Sequence, residues 1–403
     1  MDFESVAVVA PRSKRPLMLV ACGGLFVYGV LVAFLGAAMP DLRTRLSLTP
    51  DLSGLLFSFL YLPQILAVSV AGPLIDRSGT KLAIFLGAIL SGAGFAGAGF
   101  AGSYQLLAMA MLVLGVGGGL LSSASNTLVA DLYPENPASA LNVGHALFGF
   151  GAVFFPAAVT LTESRMGLVL PVGMTLFLTG GVVALASSRD FPNRHAGREL
   201  NWLAARGAIS HPAVLILSAV VFLTTALAVS IGGWLRLYME QQFSSSGRVS
   251  GMILTLFWAL IMTGRLTSSQ VLKVVRGPQL VLWCSVGMLL GLLLLTMAPG
   301  PIVAIAGVIV CGLSYGPIYP TTVGSAGIHF RKVFATVFGT MQAAGLIGGL
   351  VLPAAIGWVA GRASIGSGLW LLVAAAILLV ALQATFVGYE RGMSGSGDRG
   401  PSS

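Results

Sequence analysis

The stretch AGPLIDRSGTK, residues 71–81, sets one acid and two bases within six residues of a chain in which only 9% of residues are charged. Its surroundings are apolar. Of 403 residues, 56% are hydrophobic and the mean hydropathy is +0.92, against about 45–50% apolar residues in ordinary soluble domains. Twelve apolar runs of about 20 residues follow one another, from 17–39 and 51–73 to 334–358 and 367–388. Each is long enough to cross a ~30 Å hydrocarbon core as a helix. The charged stretch therefore reads as a loop between the second and third spans of an all-α membrane protein. The first run is longer than a signal-peptide core and reads as a retained helix.

An even number of spans puts both termini on one side, and the basic residues say which. Sixteen of the 22 Lys and Arg fall in the termini, the central loop and the loops on their side. Arg43, Arg45, Arg165, Arg236, Arg248 and Arg362 make up the remainder. Positive charge favours the cytoplasm, so the chain is expected as a multi-pass protein of the cell inner membrane with both termini inside. The net charge of +9 is then a matter of topology, and no nucleic-acid partner is implied. Cys22, Cys284 and Cys311 fall in three different spans and read as small apolar residues. Neither a metal site nor a cofactor is expected.

The polar segment 188–211 divides the spans six and six. The expected organisation is an N-terminal bundle (1–187), a linker (188–211), a C-terminal bundle (212–390) and a tail (391–403). The halves echo each other. Gly72-x-Leu74 returns as Gly264-x-Leu266, Gly119-Leu120 as Gly312-Leu313, and the Gly151 to Pro156 spacing as Gly348 to Pro353. Near-constant offsets point to a duplicated six-span unit. Gly72 is expected to let two helices approach closely and Gly79 to supply a turn with positive φ.

The opening stretch resembles the loop signature of the major facilitator superfamily: Gly72, Leu74, Asp76, Arg77, Gly79 and Lys81 match, and Thr80 departs. The resemblance implies twelve helices in two bundles, alternating access and a monomer. It also implies a cytoplasmic latch for the outward-facing state, in which Asp131 partners Arg77, with Arg265 in the repeat-related loop. The alternative is that these charges only mark topology. Residues 122–156, 229–238 and 312–321, with their Asn-x-x-His and Gly-Trp elements, are similar to the fucose-galactose-hexose permease branch.

Every acid lies in a terminus, a loop or the last turn of a helix. In proton-coupled relatives carboxylates in the first and fourth spans are thought to carry the proton; the aligned positions here hold Gly36 and Ser122. His145 is the one histidine inside a span, with an ordinary pKa of about 6.5. It reads as a neutral hydrogen-bonding group, a sugar contact or a coupling residue. Stripes at i, i+3, i+4 and i+7 place Ser122 and Asn126, Asn142 and His145, Trp234, Tyr315 and Tyr319, and Gln342 on helix faces. Gln64 and Trp258 join them from spans two and eight. These ten residues are the expected substrate contacts. Amides, hydroxyls and an imidazole suit sugar hydroxyls, and aromatic faces suit a pyranose ring. No buried base is expected to meet an anion. The expected function is secondary transport of a small neutral solute, a sugar in class, by alternating access without carboxylate-based proton coupling and with an undefined coupling ion. The alternatives are export of a neutral or amphipathic metabolite or drug, and a non-transporting membrane sensor. No catalytic group is expected, since paired carboxylates and a nucleophile with a base are missing at depth.

Overall fold

Proline and serine punctuate this chain into helices. The computed structural model describes residues 14–134, 137–162, 167–191, 207, 210–330 and 333–396. Among them run eleven helices: α1 Lys14–Leu46, α2 Pro50–Phe100, α3 Tyr104–Leu132, α4 Pro137–Thr162, α5 Val169–Ser187, α6 Pro212–Phe243, α7 Gly247–Val271, α8 Gly277–Thr296, α9 Pro301–His329, α10 Phe334–Arg362 and α11 Ile365–Ser396. All eleven are long and apolar enough to cross a membrane. Proline sits in the first helical positions of α2, α6, α8 and α9, where its missing N–H costs nothing. Ser103 and Ser246 cap α3 and α7, accepting from the backbone N–H of Leu106 (3.3 Å) and Val249 (3.4 Å).

Helix α2 takes in the second and third expected spans. At ~1.5 Å per residue its 51 residues would extend about twice the thickness of a bilayer if straight. It is not straight: Gly79 has φ +83 and ψ 158, a conformation open almost only to glycine. The expected positive-φ turn is where the sequence put it. The linker 188–211 lies largely outside the described residues, as does the end of the tail.

The glycines matched between the halves do matched work. A Cβ on Gly151 would run into the carbonyl oxygen of Phe26, and one on Gly348 into that of Phe222. These glycines let α4 close on α1 and α10 close on α6. Gly119 packs on Gln64 and Ala67 of α2, and Gly312 on Phe257 and Leu260 of α7. The short turns after α1 and α6 each carry a serine with positive φ, Ser47 (52°) and Ser244 (50°). One pair breaks the match. Gly264 sits against the backbone of Leu313, but a Cβ on Gly72 would meet nothing within 4 Å. The close approach expected at Gly72 is absent: it is exposed and faces open space.

That openness is one-sided. The halves meet through α2 with α10, α4 with α7 and α1 with α6. The tight contacts all lie toward one end: Gly36 on the backbone of Gly232, Gly54 on Gly357, Tyr61 on Gly349 and Gly251 on Thr160. Ser58 Oγ donates to the carbonyl of Leu350 at 3.3 Å. Met262 of α7 still reaches Gly149 of α4. Beyond it, toward the end carrying the Gly79 bend, Cβ atoms on Gly72, Gly324 and Gly339 would point into open space. The halves thus meet closely toward one end, where a cavity of about 630 Å³ lined by Pro40, Asp41, Arg45, Glu240 and Gly247 opens at the seam, and their close contacts thin out toward the other, where the space between them is taken as the cleft. Cys22 and Cys311 are buried, Cys284 is half-buried, and all three are free thiols.

Candidate functional site

The floor of the cleft is built from helix faces turned toward each other. On α4, His145 lies one turn from Gly149; on α7, Trp258, Met262 and Arg265 share a face. Met262 lies in van der Waals contact with Gly149, and His145 and Arg265 stand about one turn further toward the Gly79 end on α4 and α7. The two side chains are within electrostatic range of each other, and the Tyr315 and Tyr319 phenols are also near Arg265. Opposite them, Gln64 Nε2 donates to the Tyr28 hydroxyl at 2.5 Å, with Ser122 beside the same hydroxyl. Ser122 Oγ also donates to the carbonyl of Gly119 at 3.3 Å. The Tyr319 hydroxyl donates to Gln342 Oε1, tying α9 to α10.

Four buried polar atoms of this region have no protein partner: Gln64 Oε1, Asn126 Oδ1, Trp258 Nε1 and Arg265 Nε. They are two acceptors and two donors, on helices of both halves. Buried polar atoms are nearly always paired in native structures; these four lie on helices of both halves, among twelve such atoms in the described residues that also include Asp41 Oδ2, Ser230 Oγ and Gln383 Oε1.

Most expected substrate contacts gather here: Gln64, Ser122, Asn126, His145, Trp258, Tyr315, Tyr319 and Gln342. The Asn142 side chain lies outside the described residues. Trp234 stands elsewhere. It is 1% exposed, donates from Nε1 to the carbonyl of Pro353 at 3.2 Å and stacks obliquely on Phe57, with ring centroids 6.3 Å apart. It belongs to the sealed end, not to the cleft.

Two arginines correct the sequence reading. Arg265, expected in an exposed latch loop, is inside α7 and half-buried in the cleft; the statement that no buried base awaits an anion falls with it. Arg236, counted as a loop charge, is 1% exposed. Its Nη1 donates to the Ala37 carbonyl of α1 at 2.5 Å and its Nε to Glu240 Oε1 at 3.1 Å. It clamps α6 to α1 across the seam. Asp41, one turn beyond Ala37, has a buried Oδ2 without a partner and lies in the field of Arg236 and Arg45. Arg45 in turn holds the carbonyls of Gly99 (2.7 Å) and Ala98 (3.0 Å) at the end of α2. The other latch residues are at the open end. Asp76 and Arg77 are exposed, Asp131 is half-buried, and Lys81 donates to the carbonyls of Ser187 (3.2 Å) and Arg189 (2.9 Å).

Tyr28 was missed because α1 is apolar nearly all round, so no polar stripe marks it. Arg265 had a signal: it is seven residues from Trp258 and so shares its face.

Comparison with known proteins agrees with this architecture. The chain is 27% identical over 170 residues to the arabinose-proton symporter of Bacillus subtilis (strain 168), covering 40% of this chain and 36% of that protein. It thus spans about a third of that relative's length. Among solved structures it is similar to the xylose transporter XylE from E. coli in a partially occluded inward-open conformation (TM-score 0.77, 14% identity, 93% of this chain and 98% of that one). It is also similar to the E. coli fucose:proton symporter FucP (TM-score 0.66, 18% identity, 93% and 99%). At such identities the likeness is one of fold. The family model described as Major Facilitator Superfamily matches residues 21–353. The chain belongs to the Major Facilitator Superfamily.

Proposed function

We propose that this protein moves a small hydroxylated solute of the sugar class across the inner membrane by alternating access, working as a monomer. In this reading α2 counts as two spans joined at Gly79, which gives twelve. Residues 1–187 and 212–390 form the two bundles, joined by 188–211 and followed by the tail 391–403. The excess of Lys and Arg puts both termini in the cytoplasm, so the cleft opens inward. The observation that carries the reading is the set of unpartnered buried atoms on both halves, Gln64 Oε1, Asn126 Oδ1, Trp258 Nε1 and Arg265 Nε. Acceptors and donors on facing helices suit a solute whose hydroxyls both give and take hydrogen bonds. The relatives named for arabinose, xylose and fucose favour the same class.

Asp76, Arg77, Lys81 and Asp131 latch the cytoplasmic end when the cleft closes there. Gly72 then meets its neighbour, as Gly264 already does. Proton coupling through a mid-depth carboxylate is not part of the mechanism: among the described residues the acids sit at helix ends or in a loop. The test is counterflow in liposomes containing the purified protein and a panel of unlabelled sugars and sugar acids, with labelled solute added outside. Saturable exchange of at least one of them supports the reading. Exchange of none, with folded protein in the membrane, refutes it.

A further inference from the structure

Between α7 and α4 stands a cation that no carboxylate among the described residues pairs with. Arg265 is half-buried on the α7 face that meets α4, and its Nε is buried without a partner. The groups in its field are the imidazole of His145 and the phenols of Tyr315 and Tyr319. No carboxylate among the described residues bonds it. Asp76 and Asp131 lie at the ends of their helices, and Glu240 is bound to Arg236 at the far side of the seam. A guanidinium held at membrane depth is costly unless it is paired, and arginine is the side chain whose planar fork best fits a carboxylate.

We infer that the transported solute carries one carboxylate, which Arg265 binds, on a hydroxylated body contacted by Gln64, Asn126, Trp258 and the Tyr319–Gln342 pair. In class it is a sugar acid, such as a uronic or aldonic acid. The inference rests on the transport reading above and names the substrate class of the same cleft. One unbalanced cation matches one negative charge, and no lysine or second unpaired arginine among the described residues joins Arg265 there to meet a phosphate dianion. The geometry also sets the order of contacts. Arg265 lies nearer the open end than Met262, so a solute entering from that side meets the guanidinium before the deeper Trp258. The same position explains what a neutral-sugar reading leaves over, a charge on the side of α7 that faces α4 with no ion-pair partner among the described residues.

The experiment measures binding to the purified wild-type protein and to Arg265→Gln and Arg265→Lys, with D-glucuronate, D-glucose and D-glucose 6-phosphate as probes. Unliganded Tm is read for each protein. Wild type is expected to bind glucuronate in preference to both other probes. Arg265→Gln should weaken glucuronate by about 10- to 100-fold, as expected for loss of a charged hydrogen bond, and Arg265→Lys by less. Unliganded Arg265→Gln should be as stable as wild type or more so, since it removes an unbalanced charge. A marked fall in its Tm would make Arg265 a structural group and overturn the inference, and if that variant fails to fold, Arg265→Lys decides the binding question. Glucose bound as tightly as glucuronate, with Arg265→Gln retaining both, overturns the inference and leaves the transport reading standing. Preference for the phosphate overturns the single-charge assignment. If none of the three binds and counterflow is also absent for every sugar and sugar acid, the transport reading falls and this inference with it.

Discussion

Arg236 and Gly79 show how much a single position decides here. Arg236 is buried; its bond to the Ala37 carbonyl holds α6 to the backbone of α1, and its bond to Glu240, one turn further along α6, orients the guanidinium. A hydrogen bond to a charged group contributes about 1.5–3 kcal/mol, so Arg236→Gln should shift the balance between open and sealed states by roughly 10- to 150-fold. The shift would appear as faster labelling of a cysteine introduced in the seam, and an unchanged rate would mean that the clamp holds nothing. Gly79 faces a different penalty. A Cβ there meets no atom within 4 Å, so the cost of Gly79→Ala is purely that of its backbone conformation, about 1–3 kcal/mol, read as a lower Tm in detergent. Asp41 is the acid with a buried unpartnered oxygen, yet it sits at the end of α1 beside Arg236 and Arg45 and not in the cleft. Asp41→Asn should therefore leave solute exchange without alkalinisation, as in wild type. Stoichiometric proton uptake by wild type that Asp41→Asn abolishes would make Asp41 the coupling residue.

The helices were legible because span length and apolarity are properties of a run, and α2 could be divided at Gly79 because the turn needs a residue without Cβ. Repeat-related glycines were legible too, since close approach of α4 to α1 and of α10 to α6 demands the same small residue in each half. What stayed hidden was depth. Assigning Arg236 and Arg265 to loops by charge alone ignored that each continues an apolar helix face, and Trp234 looks like a cleft aromatic until its indole is seen bonding Pro353. Gly36 and Gly72 make the difference between the two ends testable. A Cβ on Gly36 strikes the Gly232 carbonyl, which is backbone and cannot step aside, so Gly36→Ala should loosen the α1–α6 seam and disfavour the present state. Gly72→Leu meets empty space in this state and should be tolerated, while blocking closure of the other end. Exchange should fall in both variants, Gly36→Ala by populating the outward-open state and Gly72→Leu by trapping the inward-open one. Cysteine accessibility at the two ends distinguishes them.

The account as a whole rests on the two ends being linked: what seals one opens the other, because α1 with α6 and α2 with α10 join rigid halves around a common cleft. Two label pairs report this directly by electron–electron distance measurement in liposomes. Thr44 and Gln242 are exposed at the sealed end, and Ser69 and Gly339 are exposed toward the open one. In the Arg236→Gln background the Thr44–Gln242 distance should lengthen as the Ser69–Gly339 distance shortens, each relative to the same pair with Arg236 intact. Lengthening at the sealed end with no change at the other would contradict alternating access in this protein.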